Sequence, residues 1–415
     1  MKFAIRIRKN KDKYKILICI CVILLHLHYI SFMPFRGFYD DLVALAFATI
    51  IVIRHKNIKK NESTILLLLL ITLIIGVISN FVQGIVTNLA YMLNDALSFM
   101  RIFVVFIGTT LLLQENPKRK QDVLYTLSGL AKGFILISFV FACLTQMGIV
   151  EGMYERVRFG IKCFTFVFHN ASQYGILIGC SLGFVLLNEG TKNKMYELMA
   201  CAVLIMTGKG MSLIIVTVYL AFICAAKFGL KKTLLAFGII GILLAVILRY
   251  QIVTYLLDSG APRAILLKYG LQTAVRFFPF GSGLATFGSN MAAEHYSPLY
   301  VEYGFRGIKS LSGTSEIGLA VMNDVYLGMV LAEYGFIGTA LVIYIFYKIF
   351  AKIWKYPEIE LKKKYIVIAC FISACGMAVM AGSLKNVPGE MIFLLSALYC
   401  CGEKGVKNVN IFNNS

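Results

Sequence analysis

The sequence predicts an all-α polytopic integral membrane protein that forms a single domain over 1–415. Of the 415 residues, 59% are hydrophobic and only 15% are charged, whereas a soluble domain is nearer half apolar and a quarter charged. The mean hydropathy is +0.78. Apolar runs of membrane-spanning length recur along the chain. Because no polar stretch between them is long enough to bury a core of its own, we expect no separate soluble domain.

About twelve apolar segments can cross a membrane as helices. We predict spans at 16–33, 38–53, 64–82, 91–113, 130–150, 172–188, 196–208, 210–226, 232–250, 322–350, 365–383 and 388–401. The basic start lacks the small residues of a cleavage site, so the first span is predicted to stay uncleaved. Two glycines flank Lys209, which favours a turn that divides 196–226 into two spans.

The distribution of Lys and Arg predicts the orientation. With the amino terminus in the cytoplasm, the inner segments hold 26 Lys and Arg and the short outer segments hold 6, as the positive-inside rule requires. We therefore predict that both termini are cytoplasmic. The polar segment 251–321, between spans nine and ten, becomes a large extracytoplasmic loop. The same bias explains most of the net charge of +20 without nucleic acid, for which no binding module is visible.

The long loop mixes aromatic residues, glycines and charges, a composition that can fold against a membrane surface. We predict a short helix at 266–278, a turn at 279–283 and irregular structure up to 315. The eleven cysteines show no pair with metal-ligand spacing and none lies in the loop, so neither a metal site nor a disulfide framework is expected.

Short motifs around this loop carry a resemblance. Arg263 is followed by LQTA at 271–274, PFGSGLATF at 279–287, NDVYL at 323–327 and EYGFIG at 333–338, while MTGKG at 206–210 precedes span eight. In order and spacing these motifs resemble those of the O-antigen polymerase and O-antigen ligase superfamily. The twelve-span plan with one large outer loop late in the chain is similar as well, and the resemblance implies a GT-C-like fold.

The resemblance implies a membrane glycosyltransferase in the bacterial inner (cytoplasmic) membrane. Such an enzyme transfers a glycan from undecaprenyl pyrophosphate to an acceptor sugar on the outer face, without a metal, a nucleotide sugar or another cofactor. The acceptor is a lipid-linked repeat unit for a polymerase, and lipid A core or a protein for a ligase. Implied partners are the lipid-linked oligosaccharide, membrane lipids, a chain-length regulator and a flippase. Ligases carry His then Asn where this chain has Asn323 and Asp324, so we favour the polymerase.

Charged side chains near the loop are the first candidates for the chemistry. A pyrophosphate leaving group needs cations, and the acceptor hydroxyl needs a base or an orienting acceptor. The guanidinium fork of Arg263 suits a phosphate, although a surface salt bridge is the alternative. Lys209 stands where the family usually has Arg and supplies charge without the fork. Asp324 can orient the acceptor hydroxyl or simply complement a helix dipole.

Two further charges lie inside predicted spans, where an ionisable group is costly unless it is paired or lines a polar cavity. Arg101 and Glu333 are expected either to pair with each other or to line the site, with Arg101 facing the pyrophosphate. The complete set of candidate catalytic residues is Asp324, Arg263 and Glu333. The candidate substrate-binding residues are Lys209, Arg101, Arg276, Arg306, His169, Asn323 and Tyr326.

A transporter, such as a flippase for lipid-linked oligosaccharides, is the rival interpretation. It would be indicated by two pseudo-symmetric halves and by charged residues spread through several spans. No internal repeat is evident, and the charges are expected to collect around the one outer loop. The sequence therefore favours the enzyme over the transporter.

Overall fold

The computed structural model describes residues 2–30, 36–114, 116–158, 160–168, 170–189, 193–229, 260–313, 319, 321–357 and 360–401. Helices dominate these residues. In chain order they are α1 (Lys2–Leu27), α2 (Tyr39–Ile53), α3 (Lys60–Gln83), α4 (Leu89–Leu113), α5 (Pro117–Gln146), α6 (Ala171–Glu189), α7 (Lys194–Met206), α8 (Gly210–Phe228), α9 (Pro262–Arg276), α10 (Asn290–Glu294), α11 (Pro298–Glu302), α12 (Tyr326–Lys355), α13 (Leu361–Met380) and α14 (Val387–Cys400).

Six of the described helices are long and apolar enough to cross a membrane, namely α3, α4, α5, α6, α8 and α12. The chain is therefore a multi-pass helical membrane protein, as the sequence predicted. The predicted break near Lys209 is also confirmed, because α7 ends at Met206 and α8 begins at Gly210. The predicted span at 232–250 lies outside the described residues.

One feature departs from an all-α chain. The connection between α5 and α6 contains an antiparallel hairpin of β1 (Tyr154–Arg158) and β2 (Ile161–Phe164). The hairpin is small and mostly exposed on β1, with the buried residues at the end of β2. Neither strand alternates apolar and polar residues over a length that a sequence pattern would reveal.

Several helix starts follow from local chemistry. The side chain of Asn88 accepts a hydrogen bond from Ala90 N (2.9 Å) to cap α4, and Asn116 caps α5 through Lys118 N (3.0 Å). Such side chains satisfy backbone N–H groups that have no partner within the helix. Proline stands in the first turn of α5, α9 and α14, where its missing N–H costs nothing.

The centre of the bundle is formed by α4, α6 and α14, which are buried along most of their length. Aromatic rings join α4 and α14 to α12: Phe393 of α14 lies edge-on to Phe103 of α4 at 5.7 Å and to Phe346 of α12 at 5.6 Å. Helices α3, α5 and α8 keep one face exposed. An apolar helix with one exposed face is the arrangement expected of a span that contacts lipid.

Different loops lie at the two ends of the bundle. At one end a cavity joins residues that follow α2, α4, α12 and α14, among them Lys59, Gln114, Tyr356 and Cys401. At the other end Arg263 at the start of α9 lies beside Asp324, just before α12. Phe222 of α8 stacks on Tyr365, near the first of these ends.

The loop segment after α9 is more ordered than predicted. The helix expected at 266–278 is present as α9, but the stretch expected to be irregular contains the short helices α10 and α11. It also buries a small apolar cluster that includes Phe287, Tyr300 and Phe305. The cluster also includes Val325 and Ala332, so it is continuous with the start of α12.

The motif turn at 279–287 interlocks with a break in α12. Gly335 has φ +64 and ψ −165, which interrupts the helix. The carbonyl oxygens of Ala332 and Glu333 accept hydrogen bonds from Ser282 N (2.8 Å) and Gly283 N (3.0 Å) instead of from the next helical turn. A side chain on Gly335 would overlap the carbonyl of Pro279. The break is tolerated because the turn supplies the lost hydrogen bonds.

Candidate functional site

A polar cavity of about 480 Å³ opens at the end of the bundle that carries α9. Its walls come from four separate segments: the start of α6, the start of α9, the residues before α12 and the connection between α13 and α14. The lining residues are Asn170, Ser172, Gln173, Arg263, Val321, Asn323, Asp324, Ala381, Gly382 and Asn386. We call this the Arg263 cavity. Its lining is dominated by amides and by one ion pair.

The ion pair joins two of the predicted residues. Arg263 Nε donates to Asp324 Oδ2 at 2.6 Å, and Arg263 Nη2 donates to the same oxygen. The other carboxylate oxygen, Oδ1, accepts Gly382 N at 3.3 Å. The side chains are 29% and 28% exposed, so a ligand in the cavity can reach both. Charge-assisted hydrogen bonds of this kind fix the guanidinium plane.

Close backbone contact holds Asp324 in place. A side chain on Gly382 would overlap the carbonyl oxygen of Asn323, so only glycine permits this approach. Asn323 itself donates through Nδ2 to Asn290 Oδ1 at 2.6 Å. The segment before α12 is thus tied to α10 on one side and to the connection after α13 on the other. Asp324 lies two residues before Tyr326, the first residue of α12, and its carboxylate contacts Arg263 and Gly382 N.

The start of α6 forms the facing wall. Asn170 Oδ1 accepts hydrogen bonds from Ser172 N at 2.9 Å and Gln173 N at 3.3 Å, so Asn170 caps the start of α6. His169, a predicted substrate-binding residue, lies outside the described residues. With Asn323 and Asn386, the amides present both donors and acceptors, which is the chemistry that sugar hydroxyl groups require.

Lys209 lies next to this wall but does not line the cavity. Its Nζ is 2.7 Å from Glu155 Oε2 in the β1 strand, and that oxygen is 3.5 Å from Ala171 N at the start of α6. Burial of Glu155 opposes its ionisation, but hydrogen bonds and charges from Lys209 and Arg156 outweigh it and lower the pKa of Glu155. The positive charge of Lys209 is therefore already balanced by a carboxylate.

Three other predicted substrate-binding residues are outside the Arg263 cavity. Arg276 forms an exposed ion pair with Glu302 on the loop surface. Arg306 is exposed, and its guanidinium lies over the ring of Tyr296 at 5.6 Å. Tyr326 is 2% exposed at the start of α12 and is packed in the core. The structure gives none of these three a direct contact with the cavity.

Glu333, predicted as catalytic, holds the motif turn instead. Its Oε1 accepts Thr286 N at 3.0 Å and Phe287 N at 3.1 Å, and the residue is 0% exposed. Asp95 of α4 lies beside it and accepts Ala285 N at 2.8 Å. Two carboxyl groups thus satisfy three successive backbone N–H groups of the turn. The Glu333 carboxyl is buried and does not line the Arg263 cavity, so its catalytic role stays a prediction.

Lys385 lies between the turn and the cavity. It is 2% exposed, and its Nζ donates to Gly288 O at 3.0 Å. Burial lowers the pKa of Lys385 to about 8, while the charges of Asp95, Glu333 and Asp324 act in the opposite direction. Lys385 is therefore electrostatically linked to the turn on one side and to the Asp324 carboxylate of the cavity on the other.

Arg101 does not pair with Glu333. It donates through Nη1 to Asp40 and lies 2.5 Å from Asp41 Oδ1 through Nη2. The expected Arg101–Glu333 pair is wrong because the start of α2 packs against the middle of α4 and brings its own carboxylates. Glu390, in the first turn of α14, is electrostatically coupled to the same group. We call Asp40, Asp41, Arg101 and Glu390 the Arg101 cluster.

Neither carboxylate oxygen of Glu390 has a hydrogen-bond partner within the described part of the chain, and the residue is 0% exposed. Ionisable residues are thus buried in α2, α4, α12 and α14. The expectation that the charges would collect around one outer loop is incomplete, since a second group lies among the helices.

Sequence reasoning missed Asp95, Lys385 and Glu390. The signal for two of them was present: Asp95 and Glu390 fall inside the predicted spans 91–113 and 388–401, where the argument applied to Arg101 and Glu333 holds equally. Lys385 follows the predicted span 365–383, where a charged side chain ordinarily reaches water. Its burial depends on how the 3₁₀ turn Gly382–Lys385 folds back between helices.

No family model matches the chain, and no curated protein is significantly similar to it. The resemblance to the O-antigen polymerase and ligase superfamily therefore remains a prediction from short motifs.

Proposed function

We propose that the chain is an O-antigen-type or capsule-type polysaccharide polymerase. It would transfer a growing glycan from undecaprenyl pyrophosphate to the acceptor sugar of a lipid-linked repeat unit, at the outer face of a bacterial cytoplasmic membrane. The observation that carries this proposal is the Arg263 cavity. Two motif residues that are 61 positions apart in the sequence, Arg263 and Asp324, meet there, and amides from two further segments surround them.

The chemistry of the cavity suits the transfer. Arg263 offers a cation where negative charge develops on the departing pyrophosphate. Asp324 lies against it and is exposed enough to accept a hydrogen bond from the attacking hydroxyl. The pyrophosphate of the donor would compete with Asp324 for the guanidinium of Arg263. The Asp324 carboxylate would then turn toward the acceptor hydroxyl. The amides of Asn170, Gln173 and Asn386 would bind the sugars on either side of the bond that is made.

The arrangement of the bundle supports the proposed topology. Loops assigned to the outer side by the charge bias, at 151–171, 251–321 and around Lys385, meet around the Arg263 cavity. Loops assigned to the inner side, including 54–63 and 351–364, meet at the opposite end. If the chain has twelve spans and both termini are in the cytoplasm, the cavity would open on the outer face, where a lipid-linked substrate waits after translocation.

The proposal is tested in a deletion strain of the source bacterium complemented with variants. Arg263→Ala and Asp324→Asn are expected to reduce long glycan to single repeat units on sizing gels, with normal amounts of protein in the membrane. Arg263→Lys keeps the charge without the fork and is expected to restore polymer only in part. Lys268→Ala, an exposed cation on the same helix, is the matched control and should leave the ladder unchanged.

Two results would overturn the proposal at different levels. Normal polymer length in the deletion strain itself would reject the polymerase. Normal polymer length in both Arg263→Ala and Asp324→Asn would reject the site. If long chains persist on the lipid carrier but are no longer attached to lipid A core or to a protein, the chain is a ligase.

A flippase for lipid-linked oligosaccharides is the second candidate, and the Arg101 cluster favours it. Buried ionisable groups shared among helices are a feature of proton-coupled transport. The two candidate functions predict that lipid-linked repeat units accumulate on different sides of the membrane when the protein is lost. Loss of a polymerase leaves single repeat units accessible to an impermeant reagent outside the cell, whereas loss of a flippase keeps them inaccessible.

A further inference from the structure

A second cavity, of about 490 Å³, lies at the opposite end of the bundle from the Arg263 cavity. It is bounded by the start of α3 and the ends of α4, α12 and α14. Its polar and charged lining residues are Lys59, Asn61, Glu62, Thr110, Gln114, Tyr344, Tyr347, Lys348, Lys352, Lys355 and Tyr356. We call this the lysine cavity. Four ammonium groups face one carboxylate, so its lining is strongly positive.

The one carboxylate is already paired. Glu62 Oε1 is 2.6 Å from Lys352 Nζ, and Glu62 is 2% exposed. No described carboxylate lies within salt-bridge distance of Lys59, Lys348 or Lys355. Three cations on the wall of one cavity repel one another unless an anion lies between them. The cavity is therefore built to receive a negative charge.

The paired carboxylate also has an unused acceptor. Glu62 Oε2 is buried and accepts no hydrogen bond within the described part of the chain. A buried acceptor left without a donor is costly. A ligand with a negatively charged group could form ion pairs with the lysines, and a hydroxyl group on the same ligand could donate a hydrogen bond to Glu62 Oε2. A phosphate ester with a hydroxylated substituent has this combination.

The surroundings indicate that such an ester is attached to a lipid. Ile343 and Leu67, on the two helices that carry Tyr344 and Glu62, are 60% and 56% exposed, as side chains that face lipid would be. Tyr344 and Tyr347 stack on each other at 6.1 Å and are themselves exposed. Tyrosine and lysine near the end of an apolar helix are typical of the level of the lipid headgroups.

We propose that the lysine cavity binds the headgroup of an anionic phospholipid that carries a free hydroxyl, such as phosphatidylglycerol. The phosphate lies among Lys348, Lys352 and Lys355, and a glycerol hydroxyl donates to Glu62 Oε2. The acyl chains extend along the exposed apolar faces of α3 and α12. The site is separate from the Arg263 cavity and does not depend on the function proposed for it.

Native mass spectrometry of the full chain in detergent tests this binding. Phosphatidylglycerol is expected to remain bound at concentrations where phosphatidylcholine does not. Each lysine near a headgroup contributes about a fivefold effect on affinity. Lys348→Ala combined with Lys355→Ala should therefore weaken phosphatidylglycerol binding about twenty-five-fold. Lys118→Ala combined with Lys364→Ala removes two lysines outside the cavity lining and should change binding less than twofold.

A second variant tests the hydroxyl contact and does not depend on removing lysines. Glu62→Gln is expected to reduce the preference for phosphatidylglycerol over phosphatidic acid, whose phosphate carries no glycerol headgroup. Equal binding of phosphatidylglycerol and phosphatidylcholine would overturn the proposal. Equal retention of phosphatidylglycerol by the Lys348→Ala, Lys355→Ala variant and the Lys118→Ala, Lys364→Ala control would also overturn it. Displacement of the lipid by millimolar glycerol phosphate or inorganic phosphate would show instead that the site takes a soluble phosphate ester, which would overturn the lipid assignment.

Discussion

Replacing Gly335 by alanine tests the interlock on which the Arg263 cavity depends. Gly335 has a positive φ and an extended ψ, a combination that essentially only glycine adopts, and forcing another residue into it costs about 1–3 kcal/mol. An added Cβ would also lie 2.6 Å from the carbonyl carbon of Phe280 and would overlap Pro279 O. Overfilling a packed site costs about 1–3 kcal/mol more. We expect Gly335→Ala to destabilise the protein by about 2–6 kcal/mol in total.

The measurement is the thermal unfolding midpoint of the purified chain in detergent, together with the yield of monodisperse protein. Gly133→Ala is the matched control. Gly133 is in α5, and nothing lies within 4 Å of an added Cβ. Alanine there should leave stability unchanged or raise it by up to about 1 kcal/mol. If the two variants unfold at the same midpoint, the turn at 279–287 does not interlock with α12 as described.

Three further predictions concern charged side chains. Arg276→Ala removes an exposed ion pair with Glu302, so we expect a loss of at most about 1 kcal/mol and an unchanged glycan ladder; a shortened ladder would contradict this. Arg101→Ala leaves the buried Asp40 without its cation and should cost about 3–5 kcal/mol, measured as a lowered unfolding midpoint that Arg101→Lys partly restores. The pKa of Lys385 is lowered to about 8, so between about pH 8 and pH 10.4 the unfolded chain binds more protons than the folded one. The stability of the wild type relative to Lys385→Met should therefore rise with pH across that window, and parallel curves would refute the assignment.

The membrane-spanning character and many helix boundaries could be predicted because they depend on local sequence. Apolar length decides whether a segment can cross a membrane, and the glycines around Lys209 were enough to predict the break between α7 and α8. The hairpin after α5 was not predictable in this way. Its strands are short, and their burial comes from contact with neighbouring helices rather than from an alternating pattern.

Individual residues of the candidate site could be predicted from the sequence, but not which of them contact one another. Arg263 and Asp324 were each chosen for the chemistry of the side chain, and the structure brings them together. Pairing within the bundle was not predictable, because it depends on which helices are neighbours. Arg101 therefore received the wrong partner. Lys385 was missed because a charge beside a predicted span normally reaches water.

The break at Gly335 changes where the boundary of the loop should be drawn. The nine residues from Tyr326 to Tyr334 belong to α12 by conformation, yet their last carbonyl groups bond to the turn at 279–287. Mechanically, this piece is the final part of the loop rather than the first part of a span. A chimaera that exchanges this loop between two such proteins must therefore have its C-terminal junction at residue 335. A junction at residue 326 would join the turn of one protein to the Ala332 and Glu333 carbonyl groups of the other.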